Sequence, residues 1–161
     1  MTISTTTIKN SYSGNGSTSV FNYTFKITDD DDIQVIIRSS SGTETIKTKT
    51  THYTVSGVGN SSGSITFTSG NIPANGETVV LRRVTPQTQG MDLIENDPLP
   101  AETLENAFDK VTSIVQELQE QLDRSIKVSK TATITTPEIT DDASARAGKL
   151  LGFDSTGNVL D

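Results

Sequence analysis

Apolar and polar residues alternate strictly over residues 20–27, with Phe21, Tyr23, Phe25 and Ile27 on one side and Asn22, Thr24 and Lys26 on the other. That is the period of a half-buried strand. Residues 33–38 repeat it through Ile33, Val35 and Ile37, and residues 39–42 then supply turn chemistry, so these two strands are expected close together in the sheet. Weaker strand signals occur at 43–47, 53–55 and 64–67, the last two separated by a Gly/Asn/Ser-rich run. A clear strand follows at 78–84, behind Gly70, Pro73 and Gly76, whose backbone preferences suit a tight reversal. Short strands at this spacing predict an antiparallel β-sandwich over residues 1–90.

Past Pro86 the pattern changes. Asp97, Pro98, Leu99 and Pro100 cannot continue a sheet, which makes 91–100 a linker, and Pro100 with Glu102 suits the start of a helix. Over 101–128 the large apolar residues are Leu104, Phe108, Val111, Val115, Leu118 and Leu122, spaced 4-3-4-3-4. This is the repeat of a left-handed coiled coil. Ile114 widens the stripe, and the flanking Gln and Glu suit a solvated bundle exterior, so the reading favours a self-associating helix, a homotrimer seam, over one packed on its own β-module. β-Branched residues at 131–136 and Pro137 end the helical pattern. Residues 129–161 are mostly polar, an extended or β segment with small apolar clusters around the turn signal at 154–158. The predicted class is mainly β with one long helix.

Composition narrows the chemistry. Only 32% of the 161 residues are hydrophobic, so one modest core is expected, with oligomerisation adding stability. A net charge of −7 argues against a nucleic-acid partner, which needs clustered Lys and Arg. The absence of cysteine removes disulfide and thiolate chemistry. No stretch has the length and apolarity of a membrane span or the form of a signal peptide.

Candidate sites are few. Asp29, Asp30, Asp31 and Asp32 lack the alternation and Gly of a calcium loop and read as a solvated turn, with no metal expected. His52 is the only histidine; it is expected on a strand facing solvent, and it forms no zinc or nucleophile motif. No phosphate-binding glycine loop is present, so no cofactor and no catalytic residue are assigned, and the chain is read as non-enzymatic. Aromatic residues are 5% with no Trp, which makes the alternative of a host-glycan or receptor-binding module the weaker one. Arg82 and Arg83 are adjacent on a strand and point to opposite faces, so at least one is expected at the surface as a partner contact.

Phe21 and Phe25, Asp32 and Val35, the run from Gly76 and Val79 through Leu81-Arg82-Arg83-Val84-Thr85, and Leu99, Ala101 and Leu104 opening the helix form an ordered set. Across residues 10–125 this set resembles the N-terminal domain of T7-like podophage tail fibre proteins. The resemblance implies a trimeric virion fibre whose β-module attaches to the tail adaptor and nozzle proteins as part of the host-adsorption apparatus. It also implies a virion-tail location after assembly in the host cytoplasm. Residues 145–161 look like shaft-entry sequence in such fibres. Fibres of this kind continue much further, so the chain is read either as the anchor of a split fibre, joined after Pro137 by a distal fibre protein, or as a fragment.

Overall fold

The computed structural model describes residues 2–91, 100–127, 129–131, 144, 147–148, 152–153 and 159–160. Among its described residues the first compact unit, Met1–Asp123, contains seven strands and one helix. The strands are β1 (Lys9–Ser13), β2 (Val20–Tyr23), β3 (Ile33–Arg38), β4 (Glu44–Lys47), β5 (Tyr53–Ser56), β6 (Gly63–Phe67) and β7 (Thr78–Arg83). They form two antiparallel sheets, ordered β1-β7-β3-β4 and β2-β6-β5. The mainly β class with one long helix is therefore observed.

One hydrophobic cluster takes side chains from both sheets. Ile33, Val35, Ile37, Val79 and Leu81 come from one, and Phe21, Tyr23, Tyr53, Ile65 and Phe67 from the other. Phe21 meets Phe67 edge-on with ring centroids 5.7 Å apart, a favoured aromatic geometry. The Tyr23 hydroxyl, buried with its ring, donates to the Ser56 carbonyl at 2.7 Å. Gly63 makes room for that hydroxyl, since a Cβ there would collide with it and with the Ser56 carbonyl oxygen.

Two expectations are corrected. β2 and β3 are not neighbours: β2 ends at Tyr23, and residues 24–32 carry the chain from one sheet to the other. Phe25 and Ile27 stay in the core across this passage, which is why the apolar alternation outruns the strand. The passage closes on Asp32, buried, whose Oδ2 accepts from the Thr28 N–H (3.0 Å), the Thr28 hydroxyl (2.6 Å) and the Asp29 N–H (2.9 Å). β1 was not predicted at all. Lys-Asn-Ser-Tyr-Ser has no apolar stripe, and its place comes from pairing with β7, Lys9 opposite Arg82 through Ser13 opposite Thr78.

The helix α1 spans Ala101–Asp123, opened by the Leu104 N–H donating to the Pro100 carbonyl at 3.2 Å. It stops short of the predicted 128. Ser125 breaks the apolar repeat after Leu122, and Ile126 and Val128 are β-branched and disfavour continued helix. Among the described residues no helix is long and apolar enough to cross a membrane. The second unit, Arg124–Asp161, contains the short antiparallel pair β8 (Gly152–Phe153) and β9 (Val159–Leu160). Most of the linker 91–100, the residues at 132–137 and the turn signal at 154–158 lie outside the described residues.

Candidate functional site

Alternation along β7 points Val79, Leu81 and Arg83 to the same, inner side, and the last of them delivers a guanidinium to the edge of the core. Arg83 is only 1% exposed. Its Nε donates to Glu117 Oε1 at 3.0 Å, and its terminal nitrogens reach Gln116 Oε1 (2.7 Å), the Ser113 carbonyl (3.4 Å) and the Lys26 carbonyl (3.4 Å). Glu117 also accepts from the Thr85 N–H at 2.9 Å and the Thr85 hydroxyl at 2.6 Å. Lys26, expected on the solvent side of its strand, is 7% exposed and places Nζ 2.8 Å from Asp109 Oδ2. The other Asp109 oxygen accepts the Ile3 N–H at 3.1 Å.

Asp109, Ser113 and Glu117 are four residues apart, hence on one helix face, and all three are buried. The N-terminal segment completes this face: Thr2 donates to Glu105 at 2.6 Å, Gln116 donates to the Thr5 carbonyl at 3.0 Å, and Lys9 pairs with Glu120 at 3.4 Å. Buried charges are tolerated only when paired and fully hydrogen-bonded. That condition is met, since among the described residues no buried side-chain nitrogen or oxygen lacks a partner. Burial pushes the Asp109 carboxyl upward, but the hydrogen bonds from Lys26 and the Ile3 N–H and the Lys26 charge outweigh it and hold the group below the ordinary carboxylate value.

The predicted seam lies on the opposite side. At about 100° per residue, Asp109, Ser113 and Glu117 centre roughly half a turn from Phe108, Val111, Val115, Leu118 and Leu122. Those apolar residues are exposed, from 44% at Leu118 to 68% at Phe108, and Leu104 is partly buried. So the helix packs on the β-module of its own chain, and does so through its polar face, leaving the heptad stripe uncovered. The polar clamp was missed in the sequence. Its signal was the Asp109-Ser113-Glu117 spacing together with the core-facing position of Arg83.

The remaining candidates fall elsewhere. Arg83 is spent on the clamp, while Arg82, on the outer side of β7, is partly exposed. Asp29, Asp30 and Asp31 bring their carboxylates together at the surface, where Lys49 pairs with Asp31 and, at 2.6 Å, with Asp30. The hydrogen bond from Lys49 lowers the Asp30 pKa and those to Asp30 and Asp31 raise that of Lys49. His52 sits in the turn before β5, where its Nδ1 accepts the Thr48 N–H at 3.0 Å.

No family model matches the chain. It is similar to the tail spike protein of Salmonella phage epsilon15, 38% identical over 134 residues. The match covers 79% of this chain but only 12% of that protein. With the two sheets and the outward apolar helix face, this similarity supports a phage tail protein, a virion component with a structural or host-adsorption role.

Proposed function

We propose that the chain is the tail-attachment part of a trimeric fibre or spike, as in T7-like podophage tail fibres. The two sheets, whose inner residues share one cluster, act as a sandwich-type docking module on the tail adaptor and nozzle proteins, and α1 joins three copies. The observation that carries this reading is the opposition of the two helix faces. With Leu104, Val111 and Leu118 at the d positions and Phe108, Val115 and Leu122 at the a positions, Asp109, Ser113 and Glu117 fall at b, f and c, the outer side of a coiled coil. The β-module therefore occupies a surface that assembly leaves free. Intramolecular docking and self-association do not compete.

The seam flanks support identical partners. Of the e and g positions within α1, Ala107, Thr112, Ile114, Gln119 and Gln121 are uncharged and only Glu105 carries a charge, so like-charge repulsion between copies is confined to the first turns of the helix, and Ile114 broadens the contact beyond two strands. Burying each Leu or Phe contributes about 1.5–3 kcal/mol, which over several layers offsets the entropy of association. The segment beyond the helix would then lead toward a distal fibre part. Such an anchor works by shape and multivalency, with no bond chemistry assigned to it. Sedimentation equilibrium at micromolar concentration is expected to give three times the chain mass of 17.2 kDa. A mass of 17.2 kDa would overturn the proposal.

A further inference from the structure

We propose that the outward face of the β1-β7-β3-β4 sheet is the docking surface, and that it takes an acidic protein surface on the tail. The inference rests on the tail-attachment reading and identifies which face of the module serves it. Because Val35, Ile37, Val79 and Leu81 point inward, Ile36, Arg38, Val80 and Arg82 point outward. Register then assembles the face: Ile36 lies opposite both Val80 and Ile46, Arg38 opposite Thr78 and Glu44, and Arg82 opposite Gln34 and Lys9.

The result is an apolar row, Val80, Ile36 and Ile46, with an arginine on either side. Ile46 is 62% exposed, and its strand β4 is an open edge of the sheet. Lys9, Lys26, Lys49 and Arg83 each form an ion pair with a carboxylate of this chain, whereas neither Arg38 nor Arg82 has one among the described residues. Glu44 is the one carboxylate at these outward positions. In a chain of net charge −7, a face with this balance stands out. The outward face of the other sheet offers a contrast: Val20, Asn22, Thr54, Ser56, Ser64 and Thr66 carry no charge.

Uncommitted arginines beside a small apolar strip fit a partner that supplies carboxylates around an apolar centre, since charge complementarity sets register and association rate. Scale agrees with a trimer. Four strands about 4.8 Å apart and about 17 Å long present roughly 330 Å², well under the ~800 Å² per partner of a standard interface. One copy binds weakly, and three held together bind avidly.

The test uses phage particles assembled without this protein as the probe, in co-sedimentation with the purified full chain. Wild type is expected to bind, and binding to weaken with added NaCl. The double variant Arg38→Gln/Arg82→Gln should lose at least about tenfold in affinity while keeping the wild-type mass and melting temperature, and Thr54→Gln/Thr66→Gln on the other sheet should bind as wild type does. If wild type binds and the arginine variant binds equally, or the threonine variant weakens as much, this face is not the docking surface. A changed mass in the arginine variant would make the face a contact between copies and overturn the proposal likewise. Absence of wild-type binding would overturn the tail-attachment reading along with it.

Discussion

Replacing Leu118 with aspartate is expected to turn the assembled protein into monomers without unfolding the individual chain. Leu118 is 44% exposed on a single chain and belongs to none of its clusters, so the substitution costs the monomer little. In the trimer it sits at a d position, where three copies converge. Losing about 2 kcal/mol of burial from each chain already weakens assembly by roughly four decades, and clustering three carboxylates in an apolar seam adds to that. The far-ultraviolet spectrum should retain its helical signal, because α1 is still held to the sheets through Lys26–Asp109 and Arg83–Glu117. Light scattering that shows an unchanged mass for Leu118→Asp would place the interface elsewhere.

The second large effect concerns the clamp. Glu117→Ala leaves Arg83 buried without its carboxylate and leaves the Thr85 N–H and hydroxyl without their acceptor. Removing one member of a buried ion pair typically costs about 3–5 kcal/mol, most of it the penalty on the charge left behind. The double change Arg83→Met/Glu117→Leu removes both charges together and should recover the part of that loss that comes from the orphaned guanidinium, while the Thr85 donors stay unpaired. Chemical denaturation measures both, and equal destabilisation by the single and the double variant would contradict the assignment. Acid should attack the same joint through Asp109. Its carboxyl is held below the ordinary value of 3.8, so its contribution is fully present above that value and is lost as pH falls through the lower folded-state pKa. Asp109→Asn should therefore flatten the loss of melting temperature below about pH 4.

What the sequence discloses and what it hides divide along physical lines. The 4-3-4-3-4 stripe is local, so six apolar residues within 19 positions sufficed to identify a helix and the face that would be sticky. The strands rich in β-branched and aromatic residues were legible for the same reason. β1 was not, because Lys9–Ser13 is a strand through its partner β7 rather than through any pattern of its own. Lys26 illustrates a further limit. Alternation places it opposite Phe25 and Ile27 and correctly so, yet the helix arrives on that side and buries it. The choice offered by the sequence was a helix packed on its own β-module or a helix packed on copies of itself. Three charged residues and one polar one separated by up to 91 positions, Lys26, Arg83, Glu117 and Ser113, make the first compatible with the second, and no window along the chain contains them together.

Cysteine cross-linking reads out whether the uncovered stripe of α1 is where copies of the chain meet. The chain has no cysteine, so single substitutions report one position each. In a parallel, in-register bundle the a position of one helix faces its own counterpart. Val115→Cys should therefore oxidise rapidly to disulfide-linked dimers on a non-reducing gel, while Asn106→Cys, exposed on the outer side of the same helix, should remain monomeric there. If Val115→Cys links no faster than Asn106→Cys, the stripe is not the site of assembly.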